Sequence, residues 1–423
     1  MDENYTGAVA VDIVTDLRLL GWNMDNFSFA APLTLGYSVL FLLGFFGNLF
    51  IILLIQKLRK TADLNVNSTL VYLIVLCCVD LIYALTVPVV IATQLIGTWL
   101  LGDTLCKTVF FAEAFGKLAN SFLLTALAFD RCGAILWRGS KTVANLRTNR
   151  GAVTLSVVSA ACSILLIVPV VLFTSVRHVL LEQEYDLPDA NMTNVNGMDS
   201  ANVSRTDIFV LNCAFVPPGH LTFPYSLTCF LVGFLAPFCL SSYFYIAMLA
   251  TLSQLVRKTS RIPGVRPIPL RRIAVSAFLT SLFYFACFGP YWLVNIAYSL
   301  DFELPFFENE LEIEKQMVKD TFVTVMLVIH WLPPLNAALN WVFYGLMNRE
   351  LQRSYSVMRQ RSLDSRASLR RNHECDEAAE ENGHPVMNSK DLEDRRAKFG
   401  AIHSHTVEEE VSLIEFSAPV IDD

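Results

Sequence analysis

The sequence predicts an all-α membrane protein: a seven-transmembrane helix bundle, with a short amphipathic helix and a disordered tail after the last span. Seven long apolar runs stand between polar loops, Lys and Arg gather in alternate loops, and 54% of residues are hydrophobic while 17% are charged. Soluble domains carry about 25% charged residues. A bilayer core about 30 Å thick needs about 20 apolar residues of helix, because backbone groups in lipid must bond within their own segment. Buried helices of a soluble protein would be shorter and interleaved with amphipathic ones.

In order, the runs are Leu33–Gln56, Ser68–Ile96, Asp103–Leu136, Gly151–Ser175, Tyr225–Leu255, Arg272–Leu300 and Asp320–Met347. Residues 1–32 precede them, 33–347 form the transmembrane domain, 348–360 the amphipathic helix and 361–423 the tail. Basic residues follow span one (Lys57, Arg59, Lys60), span three (Arg138, Lys141, Arg147, Arg150) and span five (Arg257 through Arg272). Acids fill the alternate loops, with Glu182, Glu184, Asp186 and Asp189 before span five and Asp301 through Glu314 before span seven. The positive-inside rule therefore places the N-terminus outside and the C-terminus in the cytoplasm. Asp12, Asp16 and Arg18 interrupt the only early apolar stretch, so the first span is expected to target the chain itself. The net charge of −7 belongs largely to outer loops and tail and points to no nucleic acid.

Glycosylation sequons at Asn4, Asn26, Asn191 and Asn202 fall on segments assigned outside, whereas that at Asn67 falls inside and is expected to stay unmodified. Cys106, at the outer start of span three, and Cys213, in the loop after span four, face the oxidising compartment. The other cysteines of the spans read as small packing residues.

Residues inside the spans narrow the class. Asn48 follows Gly47 in span one; Asp80 lies in Leu76-Cys77-Cys78-Val79-Asp80-Leu81; Asp130-Arg131-Cys132 ends span three. Pro169 and Pro237 lie in spans four and five, Cys287-Phe288-Gly289-Pro290 in span six and Asn340-Trp341-Val342-Phe343-Tyr344 in span seven. In that order and spacing these resemble the landmarks of rhodopsin-like (class A) G-protein-coupled receptors. The stretch Leu166 to Val171 looks like the somatostatin and allatostatin-C group, with galanin and opioid receptors nearby.

The resemblance implies a Cys106–Cys213 disulfide, which would close a long loop and restrict the unfolded chain. It implies a switch in which Arg131 pairs with Asp130 at rest and swings toward Tyr245 and Tyr344 on activation, as span six moves outward about Phe288 and Pro290. A carboxylate within a span is functional by default. Asp80, with Asn48, Asn120, Asn336 and Asn340, forms either a sodium site or a polar knot joining spans; no other cofactor is implied. Departures are clear: Phe288 stands where a Trp is usual, Trp341 where a Pro is usual, and Ala160 where span four usually carries Trp. Pro333-Pro334 offers span seven another bend. A divergent receptor with the same movement is expected, and a non-signalling one stays open.

Glu113 and Lys117 are candidates for the outer pocket, as ligand anchor or as a pair of their own, since Glu four residues before Lys is a favourable helical spacing. Gln94, Tyr291, Asn295, Tyr298, Phe322, His330 and Trp331 are further ligand candidates, set against ordinary helix packing. The long loop from Arg177 to Pro224 has room for a hairpin vestibule, and acidic outer loops draw a cationic partner. The reading is a receptor for an extracellular, basic neuropeptide coupled to a heterotrimeric G protein of the inhibitory class. A biogenic-amine receptor and, from another class, a transporter or channel are the alternatives; nothing suggests an enzyme. Inside, the basic third loop meets anionic membrane lipid or the G protein. Asn348 to Tyr355 resembles the membrane-surface helix. Ser362, Ser365 and Ser368 among arginines suit a receptor kinase, and their phosphates would add the charge that arrestin reads.

Overall fold

Apolar runs of this length have one low-energy solution in lipid, and the computed structural model shows helix after helix. It describes residues 27–61, 68–137, 139–185, 205–259, 270–303 and 329–344, and in the tail 355–357, 359–360, 363–368 and 370. The asparagines of the four outer sequons, Phe322, residues 260–269 of the third inner loop and residues 348–354 lie outside the described residues.

Span one is α1 (Phe27–Thr61). Span two is broken into α2 (Ser68–Ala84) and α3 (Val87–Ile96), with Pro88 in the first turn of α3, where its missing N–H costs nothing. Span three is α4 (Gly102–Leu136), followed by the short inner-loop helix α5 (Lys141–Leu146) and by span four, α6 (Asn149–Phe173). The Ser140 and Thr148 hydroxyls accept from the Val143 and Gly151 amides and so cap the starts of α5 and α6. The chain then leaves the helix two residues before the expected end at Ser175, because Thr174 already begins β1 (Thr174–Tyr185). That strand pairs antiparallel with β2 (Arg205–Phe215), so the expected hairpin is present.

Span five begins at Gly219, one and a half turns earlier than expected, as α7 (Gly219–Thr228). It passes through a π-helical turn, Cys229–Leu235, and continues as α8 (Ala236–Thr259). Pro237 follows the wide turn; it has no N–H for an α-helical bond, and a π-turn absorbs such a defect. Span six is α9 (Leu270–Glu303), with Pro290 inside it. Of span seven, residues 329–344 are described, and they are helical. Among the described residues, six helices are long and apolar enough to cross a membrane. Span three packs against spans two, four, five and six. Large apolar side chains such as Phe46, Phe50, Val157, Leu165 and Ile246 are exposed on the outer faces of their helices, where lipid would cover them. In the tail, residues 363–368 are helical with exposed side chains, in a region expected to be disordered; local bonds such as Ser368 Oγ to Ser365 O (2.8 Å) hold the turn.

Span seven carries a Trp in place of the usual Pro, and span one makes room for it. The Trp341 indole lies where a Cβ on Gly47 would stand, and the Trp331 indole likewise occupies the space beside Gly36. Between them, Asn48 Nδ2 donates to Ala337 O at 3.0 Å, tying the two helices by main chain as well. Gly47→Leu should therefore destabilise the purified protein by the roughly 1–3 kcal/mol typical of overpacking, read as a lower thermal midpoint. Adding Trp341→Ala should recover most of that loss; no recovery would show that the indole is not what fills the glycine's place.

Candidate functional site: three polar levels along span three

The outer end is built on β1 and β2. Cys213 of β2 is bonded to Cys106 of span three, with Cα atoms 5.6 Å apart, and opposes Val176 of β1. Trp99 N donates to Leu211 O (2.8 Å) and Asp103 Oδ1 accepts from Val176 N (3.1 Å), so both strands are seated on the helix tops. Trp99 itself is buried against the disulfide and donates Nε1–H to Gly102 O, as a residue that folds its loop.

Below this lid lies a cavity of about 1230 Å³, counting its open mouth. Glu113 and Lys117 both line it, and they are paired, Nζ to Oε1 at 2.5 Å. The Lys117 side chain is 8% exposed and that of Glu113 30%, so the acid is the more accessible member of the pair. The ammonium also lies 4.0 Å from the centre of the Tyr291 ring, which stands edge-on to His330. Gln94 and Asn295 line the same space. Trp331 does not: it turns to span one and packs on Tyr37, centroids 5.0 Å apart. The Tyr298 side chain lies outside the described residues. Sequence reasoning missed Trp292, which lines the cavity one residue beyond Tyr291 and offers a buried indole N–H with no partner.

At mid-depth, Asp80 is fully buried. Its two oxygens accept from Asn120 Nδ2 (2.7 Å) and Asn340 Nδ2 (3.1 Å), and Asn340 Nδ2 is also 3.0 Å from Asn336 Oδ1. Asn48 is not a direct partner, since its amide N–H groups go to the Gly44 and Ala337 carbonyls. The Asn120 and Asn340 amide oxygens are buried without a protein partner. A carboxylate with spare neutral oxygens suits a small hard cation, so these residues fit a sodium ion.

One turn above Asp80, Tyr284 of span six donates to the Lys117 main-chain oxygen at 2.6 Å and stacks on Phe288, centroids 4.5 Å apart. Phe288 thus occupies the buried position below Pro290, and its partner is a tyrosine that joins span six to span three.

At the inner end, Arg131 Nε lies 3.7 Å from Asp130 Oδ2, and Ser68 Oγ donates to Asp130 Oδ1 at 2.7 Å. Tyr245 bonds span six, donating to Ala277 O at 3.0 Å with Ser281 Oγ also 3.0 Å away. Tyr344 is buried with no partner for its hydroxyl. The ion-paired arrangement of Arg131 is therefore the one present, with both tyrosines engaged elsewhere or free.

A helical bundle with a lidded cavity, a buried carboxylate at mid-depth and an Asp-Arg pair at the far end fits the seven-helix signalling receptors. Comparison with known proteins agrees: residues 47–344 match the family model described as 7 transmembrane receptor (rhodopsin family), and the chain belongs to that family. It is a class A G-protein-coupled receptor, a multi-pass protein of the plasma membrane. It is 29% identical over 332 residues to a probable G-protein coupled receptor of Caenorhabditis elegans, covering 78% of this chain and 69% of that one. Neuropeptide receptor 18 of the same organism is 27% identical, over 74% of this chain and 64% of its own length. Somatostatin receptor type 1 of Rattus norvegicus is 23% identical, over 75% of this chain and 69% of its own.

Asn120→Leu should cost about 1–3 kcal/mol of stability, because it strips a donor from a buried carboxylate. In an Asp80→Asn background the same change should cost clearly less. Equal shifts in thermal midpoint in the two backgrounds would assign Asn120 to packing alone.

Proposed function

We propose that this receptor answers an extracellular basic neuropeptide and passes the signal, through outward movement of span six, to a heterotrimeric G protein of the inhibitory class. The observation that carries this reading is the asymmetry of the Glu113–Lys117 pair: both line the cavity, but the acid is the more exposed member and the cation the more buried. An incoming Arg or Lys side chain meets Glu113 first. Competition for the carboxylate loosens Lys117, whose main chain holds Tyr284 and, through it, Phe288. The ligand thus acts where span three is joined to span six.

The cavity opens beneath the β1–β2 hairpin, with Phe215 of β2 among its lining residues, which leaves an extended ligand a way in. A neuropeptide receptor and a somatostatin receptor among the relatives support a peptide ligand. Alternating loop charge supports an outer N-terminus and an inner C-terminus. On the inner side we assign the basic third loop to G protein and anionic lipid, and Ser362, Ser365 and Ser368 to a receptor kinase and then arrestin. At mid-depth we assign a sodium ion to Asp80, Asn120 and Asn340.

The test is a panel of basic and acidic peptides on cells expressing the chain, read by G-protein activation. Glu113→Gln should shift the half-effective concentration of a basic agonist upward by about 10- to 100-fold, the value of a charge-assisted contact. Exchanging the pair, Glu113→Lys with Lys117→Glu, should preserve surface expression yet not restore that response, because the acid then lies in the hidden position. An unchanged response to Glu113→Gln, or recovery in the exchange, would refute Glu113 as the ligand's anchor.

A further inference from the structure

Asp130 is 2% exposed, and it serves more than Arg131. Arg147, the residue after α5, donates Nε–H to the Asp130 main-chain oxygen at 3.1 Å, and the same nitrogen lies 3.8 Å from Oδ1. Its seat is prepared by Gly133: a Cβ there would meet Val143 Cγ1 at 2.8 Å and Arg147 Cδ at 3.3 Å. The loop that delivers it is fastened too. Arg147 N donates to Val143 O (3.0 Å), and Ser140 caps the start of α5.

Two arginines therefore address one buried carboxylate from different elements. They are not equivalent. Arg131 reaches the Asp130 side chain through Nε at 3.7 Å, and it is the arginine expected to swing away on activation. Arg147 is also held by the main chain of Asp130, which does not move when Arg131 leaves. Arg147 is 32% exposed, so its guanidinium keeps part of its hydration while it compensates the acid.

We infer that Arg147 is a positioning residue for the Arg131 switch: a second, stationary cation that keeps Asp130 compensated when Arg131 swings away. Removing one partner of a buried ion pair is strongly destabilising because the other charge is left uncompensated. Arg147 lowers that cost and so favours release of Arg131. Its role in signalling rests on the G-protein reading above, whereas its hold on Asp130 does not.

A thermal double-mutant cycle on the purified, full-length receptor tests the hold. Arg131→Gln and Arg147→Gln should each lower the midpoint modestly, and together they should lower it by about 5 °C or more beyond the sum, since Asp130 then has neither cation. With Asp130→Asn in all four proteins the excess should vanish. Additive losses with Asp130 intact, or an excess that survives Asp130→Asn, would overturn the proposal and leave Arg147 as a loop anchor. Spontaneous nucleotide exchange on an added inhibitory heterotrimer is the second readout. Arg147→Gln should slow it several-fold and Arg147→Lys should retain it; unchanged exchange in Arg147→Gln would overturn the switch role. If the unmodified receptor drives no exchange on any heterotrimer, the coupling assignment fails and the thermal cycle still decides whether Arg147 compensates Asp130.

Discussion

A carboxylate taken out of water must be compensated, and span three answers that demand at three depths. Near the outside, Glu113 is met by Lys117 one turn along the same helix. At mid-depth, Asp80 of span two is met by the amide of Asn120. At the inner end, Asp130 is met by its neighbour Arg131, by Ser68 and by Arg147. Each solution engages a residue to which the proposed function gives a part. The outer pair lines the cavity, the middle one reaches span seven through Asn340, and the inner one holds Arg131.

These levels are mechanically linked because span three packs on four other spans. Tyr284 is the most direct link from outer pair to span six, since it bonds the main chain of Lys117 and stacks on Phe288. The usual Trp is absent at Phe288, and a ring of smaller size with a tyrosine beside it fills the volume. Trp341 works in the opposite direction, placing a large ring where a Pro is usual, and Gly47 removes the clash. Divergence at these positions is thus matched by local repacking on the facing helix.

Much of this was legible in the sequence because lipid makes unusually simple demands. Span length was sufficient for the helical spans, the loop between spans four and five had room for its hairpin, the Cys106–Cys213 disulfide came from the family resemblance, and helical spacing offered the Glu113–Lys117 pair as one of two readings. What escaped depends on side-chain direction. Trp331 was placed with the ligand, but helix rotation turns it onto Gly36 and Tyr37. Asn48 was grouped with Asp80, yet carbonyls on its own helix and span seven are nearer. Arg147 read only as one more inner-loop charge; its use depends on a glycine fourteen residues earlier, Gly133, which periodicity does not distinguish. The π-turn before Pro237, likewise, is a matter of local geometry that hydropathy does not register.

The central claim is that the charge pair at the outer cavity sets the position of span six at the inner face. The most direct measurement is a spectroscopic distance between labels on the inner ends of spans three and six, in purified receptor in bilayer discs. The receptor with its pair intact should show mainly the short distance. Glu113→Gln, which frees Lys117 as a basic ligand would, should increase the long-distance population without any ligand. A distribution unmoved by Glu113→Gln, in a protein where Arg131→Gln does move it, would contradict the account.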